Sequence, residues 1–309
     1  MKTYLKHIML YLTIIALVIG ISLPVSADGN DDNDDKGYNE KLGSPIIVLG
    51  DALSDEQKAE TRKLLEVNES SQPEEYLVTG QDIAKYIDGN PDSNMYSSAK
   101  IKREESGEGI TVNIVTPDNI TEVSTDMYAN ALLTAGAEDV TVDVASPVKV
   151  SGHSALTGIY KAYDEDGATF DKERMELANE ELDVATDLAD KEGLSQEKVS
   201  ELLTEIKKEI AEKDPATKED VEEIVKEQLD KLDISLSDKD RELLTKLFDK
   251  MRDLDIDFNK VKDQLEDIAS TVKDKMDELG LDEGFWEKVA SFFRDFFQAI
   301  SNFFKGLVD

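Results

Sequence analysis

The chain has 309 residues, with 69 Asp and Glu against 35 Lys and Arg, a formal net charge of −34 and no cysteine. The missing thiols exclude disulfides, cysteine nucleophiles, iron–sulfur clusters and cysteine-ligated zinc, and the charge opposes contact with nucleic acid, whose phosphates this surface would repel. It also opposes purely electrostatic adhesion to anionic lipid, while a hydrophobic fraction of 39% suffices for a packed core.

Lys2 and Lys6 precede an apolar run from Ile8 to Ile21, and Pro24-Val25-Ser26-Ala27 offers small residues before Asp28. Residues 1–27 thus read as a secretory signal peptide cleaved near Ala27. The competing reading is an uncleaved anchor, since Ile8 to Val25 is almost long enough to span a bilayer. The small residues that end the run favour cleavage, which leaves a secreted or cell-envelope-associated protein of net charge −36 with His153 as its only histidine. A saline surrounding would screen the self-repulsion of such a surface. Residues 28–43 hold Asp28, Asp31, Asp32, Asp34, Asp35 and Glu40 among Gly and Asn, the composition of a disordered acidic linker.

Residues 44–168 switch period repeatedly, which points to an α+β domain with a mixed sheet and three or four covering helices. Ile46-Ile47-Val48-Leu49 is a continuous apolar run, expected as a strand buried on both faces. Ser54 caps a helix carrying Ala59, Leu64, Leu65 and Val67. A strand at Tyr76–Val78 and a helix from Gln81 to Ile87 follow. Two strands, Met95 to Arg103 and Ile110 to Val115, flank the turn-like Glu105-Ser106-Gly107-Glu108-Gly109. A helix is expected over Thr121–Ala135, a half-buried strand at Val140, Val142 and Val144, and a helix from Ser154 to Tyr163. Gly158 inside that helix marks close packing.

Strand patterns stop after Phe170, so residues 169–283 read as an acidic all-α region. Residues 171–284 carry 37 acidic and 19 basic side chains, mostly a solvated outer face. Ser195, Thr217 and Ser237 occupy N-cap positions and Gly280 a C′ position. Leu202, Ile206 and Ile210, like Val221, Ile224 and Leu229, recur at helical spacing.

Residues 284–309 form a long amphipathic C-terminal helix by pattern. At 100° per residue Phe285, Val289, Phe292, Phe296, Ile300, Phe303 and Leu307 share one stripe, which Trp286, Phe293, Phe297 and Phe304 widen. Glu287, Asp295 and Asp309 balance Lys288, Arg294 and Lys305, so the segment is neutral within an acidic chain. Burying these aromatics is worth on the order of 20 kcal/mol before entropic costs. Three destinations compete: the protein's own helices, a membrane surface and a groove on a partner or second copy.

Catalytic and metal patterns are sparse. Ser151-Gly152-His153-Ser154 lacks the Gly-x-Ser-x-Gly elbow, and adjacent helical residues do not face each other, so the segment reads as the start of a helix with Ser151 or Ser154 capping. Asp88, Asn90, Asp92 and Asn94 have the alternate spacing that begins a calcium loop, but Ser93 and Ala99 stand where glycine and a bidentate acid are required. Asp164, Asp166 and Gly167 fit an EF-hand only with Ala162 in its first ligand position. Phosphate-loop, dinucleotide and His-Glu-x-x-His motifs are absent. No cofactor or metal site is assigned, calcium being the one ion with any motif in its favour. A glycosidase-type pair of carboxylates among the 69 acids cannot be located by spacing.

Asn119-Ile120-Thr121, the run Asp126-Met127-Tyr128-Ala129-Asn130-Ala131-Leu132 with Thr134-Ala135-Gly136-Ala137, and Val144-Ala145-Ser146-Pro147 resemble the YpuA-like family of exported Gram-positive proteins of unknown function. So do Val150-Ser151-Gly152-His153-Ser154-Ala155-Leu156-Thr157-Gly158-Ile159-Tyr160-Lys161-Ala162, Asp214-Pro215-Ala216-Thr217 and Ile234-Ser235-Leu236-Ser237-Asp238. The resemblance covers about residues 44–309; His153 and the segment Asn94–Ile101 depart from the family pattern. It implies export and the two-part architecture, and carries over no site.

The leading expectation is an exported, non-catalytic binding or interaction protein of the cell envelope that docks through 285–309 on a membrane surface or a partner. The alternatives are an envelope hydrolase with paired carboxylates and a calcium-responsive extracellular module.

Overall fold

The computed structural model describes residues 44–67, 73–168, 170–191, 193–254, 256 and 262–278. The expected signal peptide, acidic linker, Gly280 cap and Phe-rich segment lie outside the described residues.

Five strands, β1 (Ile46–Gly50), β2 (Glu74–Val78), β3 (Ser98–Arg103), β4 (Ile110–Ile114) and β5 (Val140–Ala145), form one sheet in the order β2-β1-β3-β5-β4. Central β3 runs antiparallel to β1 and β5, and each of these carries an outer parallel partner, β2 and β4. The mixed sheet agrees with the switching periodicity of the sequence, and the architecture is α+β.

Every residue of β1 is buried because the strand is covered on both sides. Ile46 and Val48 join the main core, whereas Ile47 and Leu49 pack against Leu65 just past helix α1 (Asp55–Leu64). Across the sheet Val48 opposes Ala99, which opposes Val144, so one face is an apolar row. The next row alternates to the other face, as the pleat requires. There Lys100 meets Asp143 at 2.7 Å, and Asn113 Nδ2 donates to Asp143 Oδ1 at 2.9 Å.

Helices α2 (Gly80–Ile87), α3 (Thr125–Ala135) and α4 (Ser154–Glu165) complete this part of the chain. Helices α5 (Lys172–Lys191), α6 (Gln196–Lys213), α7 (Lys218–Lys231), α8 (Asp238–Asp253) and α9 (Lys262–Glu278) follow. One hydrophobic cluster runs from the sheet through α3 and α4 to Leu265, Ile268 and Val272 of α9.

The side chains of Ser54, Ser195, Thr217 and Ser237 each accept the third helical N–H, the geometry of an N-cap. Two starts shift by three or four residues from the sequence reading. β3 starts at Ser98 rather than Met95, because the Met95 carbonyl accepts from Ala52 N–H at 3.1 Å and holds that residue against the loop after β1. Helix α3 starts at Thr125 rather than Thr121: the Thr121 N–H and hydroxyl both donate to the Val150 carbonyl, and Ser124 caps instead. Helix α4 lacks a serine cap. His153 precedes it in helical conformation with no side-chain cap bond, and the Ser154 hydroxyl accepts from Ser97 N–H at 3.3 Å.

Candidate functional site

The densest chemistry among the described residues lies along α3. Its sequence Thr-Asp-Met-Tyr-Ala-Asn-Ala-Leu-Leu-Thr-Ala is buried from Asp126 to Ala135 on every side, so this helix is an interior element rather than an amphipathic cover. Ala129, Ala131 and Ala135 keep its girth small, which lets the sheet and the later helices approach closely. Such a helix has no solvent for its polar groups, and each needs a partner.

Cations from three different helices supply those partners in sequence along α3. At its first turn Asp126 accepts both contacts of Lys275 from α9, at 2.8 and 3.0 Å. In the middle the Lys207 ammonium of α6 donates to the Asn130 carbonyl at 2.9 Å and to Asn130 Oδ1 at 3.2 Å. At the C-terminal end Arg174 of α5 donates to the Thr134 and Leu133 carbonyls at 2.8 and 3.3 Å. That last contact sets a positive charge on the negative end of the helix dipole.

Lys207 and Glu181 form the core of this arrangement. Their side chains are 0% and 1% exposed and meet at 2.6 Å. The other Glu181 oxygen accepts from the Thr134 hydroxyl at 2.5 Å. Asn130 Nδ2 donates to Thr204 Oγ1 at 3.0 Å, and the Thr204 hydroxyl donates to the Ser200 carbonyl at 2.8 Å. Burial pushes the Lys207 ammonium below its ordinary range, against the opposing pull of Glu181. Burial raises the Asp126 carboxyl, with Lys275 working against that shift. The network does structural work in a dry interior, where a charge left alone would cost several kcal/mol.

Two positions in the sequence point to this network. Lys207 lies four residues after Leu203 and three before Ile210, on the apolar face of its own helix, and Glu181 lies four residues after Leu177 and four before Ala185. Long charged residues at core spacing imply a buried pair.

The other sequence candidates are dispersed. His153 sits between α4 and α5, with Nδ1 3.1 Å from Ser151 Oγ and Nε2 3.3 Å from Thr186 Oγ1 and 3.4 Å from Asp183 Oδ1. Ser151, not the adjacent Ser154, therefore faces the imidazole. In the first loop considered for calcium, Asp88 pairs with Lys172 at 2.7 Å, Asn90 Oδ1 accepts Asp92 N–H at 3.0 Å, and Ala99 is a core residue of β3. In the second, Asp164 pairs with Lys85 at 2.5 Å and Asp166 with Arg103 at 3.1 Å. The docking residues Phe285, Trp286, Val289, Phe292, Phe293, Phe296, Phe297, Ile300, Phe303, Phe304 and Leu307 lie outside the described residues. Gly158 stands in ordinary contact with β1, a Cβ there lying 3.4 Å from Val48 Cγ1.

A surface groove of about 480 Å3 opens between α7 and α8, lined by Val225, Leu229 and Thr245 with Lys218, Glu222 and Arg241. Its lining mixes charges of both signs.

Residues 49–268 match the family model described as a protein of unknown function, DUF1002. The chain is also 35% identical over 274 residues to the uncharacterized protein YpuA of Bacillus subtilis (strain 168), across 85% of this chain and 91% of that protein. No solved structure matches it significantly.

Proposed function

The chain belongs to the DUF1002 family, and within that family we propose that it is an exported, non-catalytic interaction protein whose folded body holds a Phe-rich terminal segment ready to dock on an apolar surface outside itself. The carrying observation is the clamp between Lys275 and Asp126, which fixes α9 against α3 shortly before the chain enters 285–309. This ion pair, with the buried Leu265, Ile268 and Val272, holds α9 on the folded body and so keeps the following segment close to it.

Two further observations support the reading. Among the described residues the buried acids Asp82, Asp126 and Glu181 are each paired with a lysine, Lys161, Lys275 and Lys207. Carboxylates tied to lysines are poorly suited to exchanging protons with a substrate. The signal-like residues 1–27 support export.

Co-sedimentation with vesicles tests the proposal, using the mature chain and a variant lacking 285–309. The full chain is expected to pellet with neutral phosphatidylcholine vesicles and the shortened chain to stay in solution. Equal behaviour of the two would remove the lipid surface as target. If the two chains also matched in sedimentation velocity and in cell-envelope fractionation, the docking role itself would be lost.

A further inference from the structure

The sheet ends in two unlike edges. β2 is guarded: Glu74 and Glu75 stand at its start, and Arg62 of α1 grips Glu75 through two bonds of 2.7 and 2.6 Å. Charge of this kind blunts an edge against pairing with another chain. β4 itself carries no charge of this kind, although Gln264 and Asp267 of α9 stand beside Gly109 at its start. The sequence of the strand, Ile-Thr-Val-Asn-Ile, is uncharged and rich in β-branched residues, and the exposed Val115 prolongs it.

The register with β5 fixes which backbone groups of β4 face outward. The Val140 N–H donates to the Gly109 carbonyl and the Val115 N–H to the Val144 carbonyl, with Ile110 opposite Val140 and Ile114 opposite Val144. In a parallel ladder this alternation turns Thr111 and Asn113 toward β5. The N–H and C=O of Ile110, Val112 and Ile114 therefore point away from the sheet, and among the described residues no strand pairs with them.

Both ends of this edge are held in place. Asp139 Oδ1 accepts the N–H groups of Gly107 and Gly109, each at 2.9 Å, which shapes the turn before β4. After it, the Thr116 hydroxyl accepts Ser146 N–H at 2.9 Å, and Asn119 Nδ2 donates to the Ser146 carbonyl at 2.8 Å. A template fixed at both ends loses little entropy when a strand is added. The exposed surroundings are acidic, with Glu105 and Glu108 before the strand and Asp118 and Glu122 after it.

We infer that the outer edge of β4 is a strand-addition site for an extended segment of a partner protein with a β-branched centre and Lys or Arg at both flanks. Its main chain would pair with Ile110, Val112 and Ile114, and its flanking cations would meet the carboxylates beyond either end. A second copy of this chain is a poorer occupant, because antiparallel pairing of two β4 edges brings Glu108 of one toward Asp118 of the other. The inference does not rest on the docking proposal, and its readout at the β4 amides is separate from vesicle binding.

The probe is a capped peptide, Lys-Lys-Val-Thr-Val-Thr-Val-Lys-Lys, added to the full mature chain and followed by amide hydrogen exchange. The amides of Ile110, Val112 and Ile114 are expected to slow by about tenfold or more on addition, while those of Thr111 and Asn113, already paired with β5, stay unchanged. A peptide with proline at its centre keeps the charge but cannot add as a strand, and is expected to leave all five amides as they were. Introducing Thr111→Lys together with Asn113→Lys puts like charge beside the probe on the exposed face and is expected to weaken binding by about five- to tenfold. Slowing that is uniform across the chain, or identical for the proline peptide, would reduce the effect to general charge attraction and overturn the proposal. Outward amides already slow in the free protein would show the edge covered by the chain itself, with the same consequence.

Discussion

Lys207 and Glu181 lie on successive helices, both sealed from solvent and 2.6 Å apart, and between them they satisfy Asn130 and Thr134 on a helix more than forty residues upstream. The pair thus ties the helix beside the sheet to the helices that follow it. Removing one partner leaves a charge with neither water nor counter-ion.

Lys207→Met is therefore expected to cost about 3–5 kcal/mol of unfolding free energy. Replacing both partners, as Lys207→Met with Glu181→Leu, should recover much of that loss, because two apolar side chains of similar size leave no stranded charge. Urea denaturation of the two variants measures the difference. A double variant no more stable than the single one would mean that the pair is not the unit of interaction.

The clamp between Asp126 and Lys275 should depend on pH. Burial raises the Asp126 carboxyl, so the folded chain retains that proton to higher pH than the unfolded chain does. The stabilisation from this group is complete below the ordinary carboxylate range and is lost as pH rises through the raised value. Lys275 limits the loss by pairing with the ionised form. Lys275→Met is expected to cost little at the acid end of the folding range and about 1–2 kcal/mol near neutral pH, a figure reduced because Lys275 is partly in solvent. A cost that stays flat across the pH range would contradict the assignment.

Two glycines separate close approach from ordinary contact. A Cβ on Gly50 would lie 2.3 Å from the Met95 carbonyl oxygen, a backbone atom that cannot swing aside. Gly50→Ala should fail to fold or lose more than about 3 kcal/mol. On Gly158 the nearest atom is a Val48 methyl at 3.4 Å. Gly158→Ala should be neutral or raise stability by up to about 1 kcal/mol, since alanine is the better helix former. Thermal melts of the two variants rank them.

A net charge of −34 stores self-repulsion that salt removes. Raising sodium chloride from about 0.02 to 0.5 M is expected to lift the melting temperature by about 3 °C or more. Calcium at matched ionic strength should add nothing beyond this screening, and an excess stabilisation would point to a specific calcium site.

Local signals in the sequence were legible. Ser54, Ser195, Thr217 and Ser237 act within three residues of themselves, so their capping roles needed no knowledge of the fold. The continuous run at Ile46–Leu49 announced a strand covered on both sides for the same reason. Strand order was not legible, because the row Val48, Ala99, Val144 joins residues separated by about fifty positions in each step. Helix α3 misled in another way. Helical spacing sets Met127, Ala131 and Leu132 on one side, yet the side bearing Asn130 and Thr134 is buried too, and only the later helices reveal why. His153 lay in the same category: its neighbours Asp183 and Thr186 come from α5, thirty residues on.

Because the helix lying beside the sheet is gripped by Arg174, Lys207 and Lys275, the two parts of the molecule should depend on each other for stability. Severing the chain after residue 168 would expose the carbonyls at the end of that helix, Asn130 and Asp126 together with a broad oily wall, and would strand the matching cations on the other fragment. Recombination between relatives should respect this, exchanging the two halves only as a matched set.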